Sequence, residues 1–193
     1  MDPTWQWTSH GLADWRFDVP VSFAEFQAKR RHVVVQIVEK VLSILPPFAR
    51  SSFGSFDTEE KEAMWKGVLD VGPFLEALRQ HDVLGVRINL ELLCDRPSGA
   101  FTIPNGADLR LYVTPEDRET PLQLTFTLNT DVYSDRDGEN RELAGLNATK
   151  LEGFLRRLTD AFLLVEVESH SYPEANDKGL GLPLHVIARS RPK

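Results

Sequence analysis

The chain has 193 residues, a net charge of −7, and hydrophobic and charged fractions of 41% and 26%, which suits one globular domain spanning residues 1–193 and burying roughly 70% of its unfolded surface. The acidic balance argues against a nucleic-acid partner, because phosphate neutralisation needs surplus Lys and Arg, and no apolar run approaches the ~18 residues of a membrane span. A single cysteine, Cys94, excludes an internal disulfide and a Cys-rich zinc site, and the polar, acidic start MDPTWQWTSH does not read as a secretory leader, so a cytoplasmic protein is expected.

Trp5 and Trp7 share one face of an extended segment, and Trp15, Phe17 and Val19 alternate again after the turn-forming SHGLAD. The pattern predicts an N-terminal β-hairpin whose tryptophans either enter the core or form an aromatic edge for a partner. A first helix follows Pro20. Ser22 and Glu25 make a capping box, and Phe23, Phe26, Val33, Val34, Ile37, Val41, Leu42 and Leu45 form its apolar stripe up to Pro46-Pro47. Asp57 and Glu60 mark a second helical start, with Met64, Val68 and Leu69 inward. Gly72-Pro73 interrupts it and opens a further helical stretch carrying Phe74, Leu75 and Leu78.

Strands come next. Val86, Ile88, Leu90 and Leu92 oppose Arg87, Asn89 and Glu91. After a Pro/Gly-rich loop, RPSGAFTIPNG, residues Leu109, Leu111 and Val113 oppose Asp108, Arg110 and Tyr112. The segment LQLTFTLNT alternates without a slip, Leu122, Leu124, Phe126 and Leu128 against Gln123, Thr125, Thr127 and Asn129. That is the signature of a sheet with one dry and one wet face. A polar loop, TDVYSDRDGEN, leads into a third helix carrying Leu143, Leu146, Leu151, Phe154, Leu155, Leu158 and Phe162, and strands FLLVEVES and LPLHVIARS end the chain. The fold class is α+β, a single antiparallel sheet, conceivably mixed, with about three helices on one face.

No segment carries a specific catalytic, metal or nucleotide motif. The densest acidic stretch holds Asp131, Asp135, Asp137 and Glu139. Aligning Gly138 with the glycine of a calcium loop puts Tyr133 at the first position and Ala144 at the twelfth, where acidic ligands are needed, so the match fails. What remains is a solvated turn capping the third helix, a noncanonical cation site, or a loop that binds a basic partner. His10, His32, His81, His170 and His185 form no ligand pair. His170 and His185 could stand near Glu168 for acid–base work, against the plainer reading of surface histidines. Nothing around Cys94 lowers its pKa, so it reads as a small core or edge residue rather than a nucleophile. Asn147-Ala148-Thr149 matches a glycosylation acceptor formally but falls inside a helix and carries no functional weight.

Residues 124–158, LTFTLNTDVYSDRDGENRELAGLNATKLEGFLRRL, build a strand, a Thr-Asp-aliphatic-aromatic turn and an Asn/Leu-rich helix. Through Asp131, Tyr133, Asn140, Leu143, Asn147 and Leu151 this segment resembles parts of bacterial immunity proteins of polymorphic toxin systems. The resemblance implies a small, acidic, non-enzymatic protein that binds and blocks one cognate toxin. No metal or cofactor is expected. The expected partner surface is Asp131, Tyr133, Asp135, Asp137 and Glu139 with Glu166 and Glu168, engaging a basic protein; a homodimer is also compatible with the sequence. A small hydrolase or isomerase using a His–carboxylate site, and a structural subunit of a larger assembly, are the alternatives.

Overall fold

The computed structural model describes residues 13–60, 65–133, 141–162 and 165–171, with residues 65–68 and 165–171 described through their backbone. Its elements are β1 (Ala13–Asp18), α1 (Phe23–Ile44), β2 (Ala49–Thr58), β3 (Trp65–Val68), α2 (Val71–Gln80), β4 (Val83–Arg96), β5 (Gly99–Val113), β6 (Leu122–Leu128), α3 (Arg141–Phe162) and β7 (Val165–Ser171). The strands form one seven-stranded sheet in the order β3-β2-β4-β5-β6-β1-β7, and every described pairing is antiparallel. The class is α+β, as the alternating strands require.

β4, β5 and β6 form the meander that short connections favour. β1 then pairs with β6 on one side and β7 on the other, an interior place, next to the last strand, that hairpin reasoning did not anticipate. Its expected hairpin partner, with Trp5 and Trp7, lies outside the described residues, as does the strand LPLHVIARS.

The inward residues of the sheet are those the alternation selects: Val86, Ile88, Leu90 and Leu92 on β4, Leu109 and Leu111 on β5, and Leu122, Leu124, Phe126 and Leu128 on β6, all buried. Helix α1 begins at its capping serine, whose Oγ accepts from Glu25 N at 3.2 Å, and buries Val34, Ile37, Val38 and Val41 over this face. α2 seats Phe74 against Phe56, ring centroids 6.1 Å apart. α3 seats Phe154 on Phe48 at 4.6 Å and on Phe126 at 5.1 Å. Trp15, fully buried, stacks on Phe126 at 5.4 Å. This tryptophan is core, not an aromatic edge.

Two expectations are corrected. The helix anticipated from Asp57 through Leu69 is instead the end of β2 and, after residues outside the description, β3. The apolar residues assigned to that helix misled because β2 carries its signal in Phe53 and Phe56, with a register shift between Ser51 and Phe53 that breaks the period. The loop RPSGAFTIPNG is also strand for most of its length. Only Pro97-Ser98 turn, Arg96 pairing with Gly99, and the Pro104-Asn105-Gly106 segment is absorbed as a bulge between the pairs Leu92↔Ile103 and Leu90↔Ala107. Asn105 sits there at φ 52°, a conformation Asn tolerates better than most residues.

Candidate functional site

All three helices among the described residues pack on the dry face, and the alternate residues of the strands face the other way. Registers align its residues into rows. Arg16 stands opposite Thr125, Thr125 opposite Arg110, and Arg110 opposite Arg87. One pair further along, Asp14 stands opposite Thr127, Thr127 opposite Asp108, and Asp108 opposite Asn89. On the other side the row reads Asp18, Gln123, Tyr112. β6 therefore runs as T-x-T between two D-x-R strands, Asp14-Trp15-Arg16 and Asp108-Leu109-Arg110.

Each arginine is braced by its own aspartate. Arg16 Nε donates to Asp14 Oδ2 at 3.1 Å, and Arg110 Nε donates to Asp108 Oδ1 at 2.7 Å. Residues two apart on a strand share a face, so the D-x-R spacing alone makes these contacts. Asp108 is 2% exposed and also has Arg87 Nε at 3.6 Å and the Asn129 amide at 3.4 Å. Burial opposes the charge of Arg110, yet the carboxylate of Asp108 and the neighbouring Tyr112 outweigh it and hold its pKa above the ordinary value.

Between the two braces the surface dips into a polar concavity of about 410 Å³, lined by Asp14, Arg16, Arg110, Tyr112, Gln123, Thr125 and Thr127. Its floor is Thr125, 6% exposed, whose Oγ1 has no hydrogen-bond partner. Such an orphan hydroxyl costs free energy unless something uses it. Tyr112, 43% exposed, stands at the rim.

The residues expected at the partner surface are distributed otherwise. Asp131 is 5% and Tyr133 1% exposed, so their side chains belong to the interior. Tyr133 packs against Phe48 and lies 3.8 Å from Cys94 Sγ through its hydroxyl. Asp135, Asp137 and Glu139 lie outside the described residues. Glu166 and Glu168 are on β7, which backbone register sets opposite Phe17 and Arg16, and His170 stands opposite Asp14; His185 is outside the description. Burial pushes the Cys94 thiol up to about 11, with Tyr133 and Lys150 opposing, and the residue is 1% exposed. It is a core residue. Among the described residues no cluster of His, Cys, Asp and Glu is arranged to hold a metal, and no helix is long and apolar enough to cross a membrane.

Asp14, Arg16 and Asp18 are the site residues that sequence reasoning missed. Their alternation with Trp15 and Phe17 was visible, but assigning the segment to a separate hairpin kept it away from β6. Comparison of the chain with family models, with curated proteins and with solved structures found no match.

Proposed function

We propose that the protein is a non-catalytic recognition module that docks a partner protein on the open face of its sheet, and that the partner is a cognate toxin which it neutralises as an immunity protein. The observation that carries the reading is the contrast between faces: one roofed by three helices, the other bearing paired D-x-R strands around a polar concavity. Such a surface is rigid, because cross-strand partners fix each side chain, and a pre-organised surface spends less free energy on ordering when it binds. The resemblance of residues 124–158 to immunity proteins supports the toxin as partner.

In this reading the acids of the 131–139 segment that lie beyond its buried start, Asp135, Asp137 and Glu139, steer a basic partner toward the face, an effect on association rate and specificity more than on affinity. Blocking is steric: an occupied toxin cannot reach its target. The test is co-expression with the product of an adjacent gene that arrests growth. Protection by the wild-type chain, lost in the triple variant Arg16→Glu, Arg110→Glu, Thr127→Arg and kept in a variant of the helical face, supports the proposal. A chain that protects equally well with that face reversed in charge, or that recovers no stoichiometric partner, overturns it.

A further inference from the structure

We propose that the outer edge of β5 over residues 99–103 is a self-association site, where a second copy of this chain adds the same strand in antiparallel pairing; the inference stands apart from the docking proposal. The β4–β5 hairpin outruns the sheet. β6 pairs with β5 only from Ala107 to Val113, and β2 pairs with β4 only from Val83 to Leu92. Among the described residues, the arm from Leu93 to Ile103 therefore pairs with itself. Its β4 edge is closed by the rest of the molecule. Leu93 N donates to Phe48 O at 2.9 Å, and Leu93 O accepts from Lys150 Nζ at 3.1 Å. The Asn147 side chain takes up both Asp95 N and Asp95 O at 2.8 Å.

Those bonds fix which backbone groups of β5 point outward. Facing residues of an antiparallel pair turn their N–H and C=O either toward each other or both away. Leu93 and Asp95 turn theirs away, so their partners Thr102 and Ala100 do the same. Both partners are exposed, and among the described residues nothing takes up the groups they direct away from β4. Pro104, next in the alternation, has no N–H and ends the edge, as the Pro97-Ser98 turn does on the other side. Sheet edges are commonly guarded by charge, yet residues 97–107 carry none. The nearby carboxylates of Asp95 and Glu91 are already paired with Lys150 and Arg50. In a chain of net charge −7, two copies can meet along this stretch without like-charge repulsion. The edge is also its own complement. A two-fold axis beside Phe101 sets Ala100 opposite Thr102 of the second copy, and the reverse, so the outward N–H and C=O groups of both strands exchange bonds.

A contact of this length belongs to the weak class, below ~1,200 Å² of buried surface, so the full chain is sedimented across roughly 10 μM to 1 mM. The average mass is expected to climb from one chain toward two. Thr102→Pro removes an outward N–H from each copy and no bond to β4. It should weaken association roughly tenfold, with the fold retained by circular dichroism. Register is read separately, with single cysteines on the exposed edge. A mixture of the Ala100→Cys and Thr102→Cys chains, treated with oxidised glutathione, should cross-link roughly tenfold faster than either alone, because only the mixed pair stands directly opposite. Cys94 is buried and takes no part. Association untouched by Thr102→Pro, or cross-linking no faster in the mixture, overturns the inference. So does a chain of single mass at every concentration, which leaves the edge to an extended segment of another protein.

Discussion

Asn147 shows how much a single residue can be asked to do. It is fully buried on α3, its Oδ1 accepting from Asp95 N and its Nδ2 donating to Asp95 O and Leu143 O, each at 2.8 Å. The side-chain amide thus pairs with the end of β4 as another strand would. In the sequence it stood out among the residues that carry the resemblance of residues 124–158 and as part of a formal glycosylation acceptor, a reading its burial rules out in the folded chain. Replacing it with Leu takes from the part-buried Asp95 amide and carbonyl their Asn147 partner, and should cost about 2 kcal/mol in urea denaturation. Asp108→Ala removes the carboxylate shared by Arg87 and Arg110. Because both guanidinium groups reach solvent on loss of it, the expected cost is smaller, about 1–2 kcal/mol in the same assay.

At the scale of elements, close approach between α2 and the sheet rests on Gly54. A Cβ there would lie 2.3 Å from Leu69 Cδ1 and 2.9 Å from Phe74 Cε2, both facing it from the α2 side. Gly54→Ala should therefore cost about 2 kcal/mol, by overpacking a filled contact. Gly72, in the first turn of α2, meets nothing within 4 Å, so Gly72→Ala should raise stability by about 0.5 kcal/mol through helix propensity and a stiffer unfolded chain. Thermal melts of the two variants should move in opposite directions.

Strands with an uninterrupted period were legible from the sequence, β6 above all, and so was α1 from its serine cap. What hid β2, β3 and the first half of β5 was irregularity: a shifted register at Ser51–Phe53 and a bulge at Pro104–Gly106, whose Pro, Asn and Gly carry the signature of a loop. The wet face of β4, β5 and β6 was also foreseen. Its centre was not, since the proximity of Asp14 and Arg16 to Asp108 and Arg110 follows from a long-range pairing that no local pattern announces.

For the molecule as a whole, burial of ionisable groups fixes how stability depends on pH. The Cys94 thiol ionises at 9.0 under ordinary conditions and at about 11 when folded, and burial likewise raises Tyr133. The folded state therefore holds these protons more tightly than the unfolded one. The thiol's contribution is complete below pH ~9 and is lost as pH rises through 11, by roughly 3 kcal/mol, and that of Tyr133 is lost at higher pH. Urea melts across that range should show the decline, and Cys94→Ala should flatten it. In the acid direction Asp82 is lowered by its hydrogen bond to Arg31, and Glu91 by its hydrogen bond to Arg50. Their stabilisation is present above pH ~4 and fades below it.

The place of β1 has a consequence for synthesis. Residues 13–18 are paired in the sheet with residues 123–128 and 165–171, more than a hundred positions later in the chain. A growing chain can close the β4–β5 hairpin locally, but Trp15 and Phe17 must wait for β6 before the sheet can bury them. Throughout that interval β1 is an apolar strand with unpaired edges, open to the wrong neighbour.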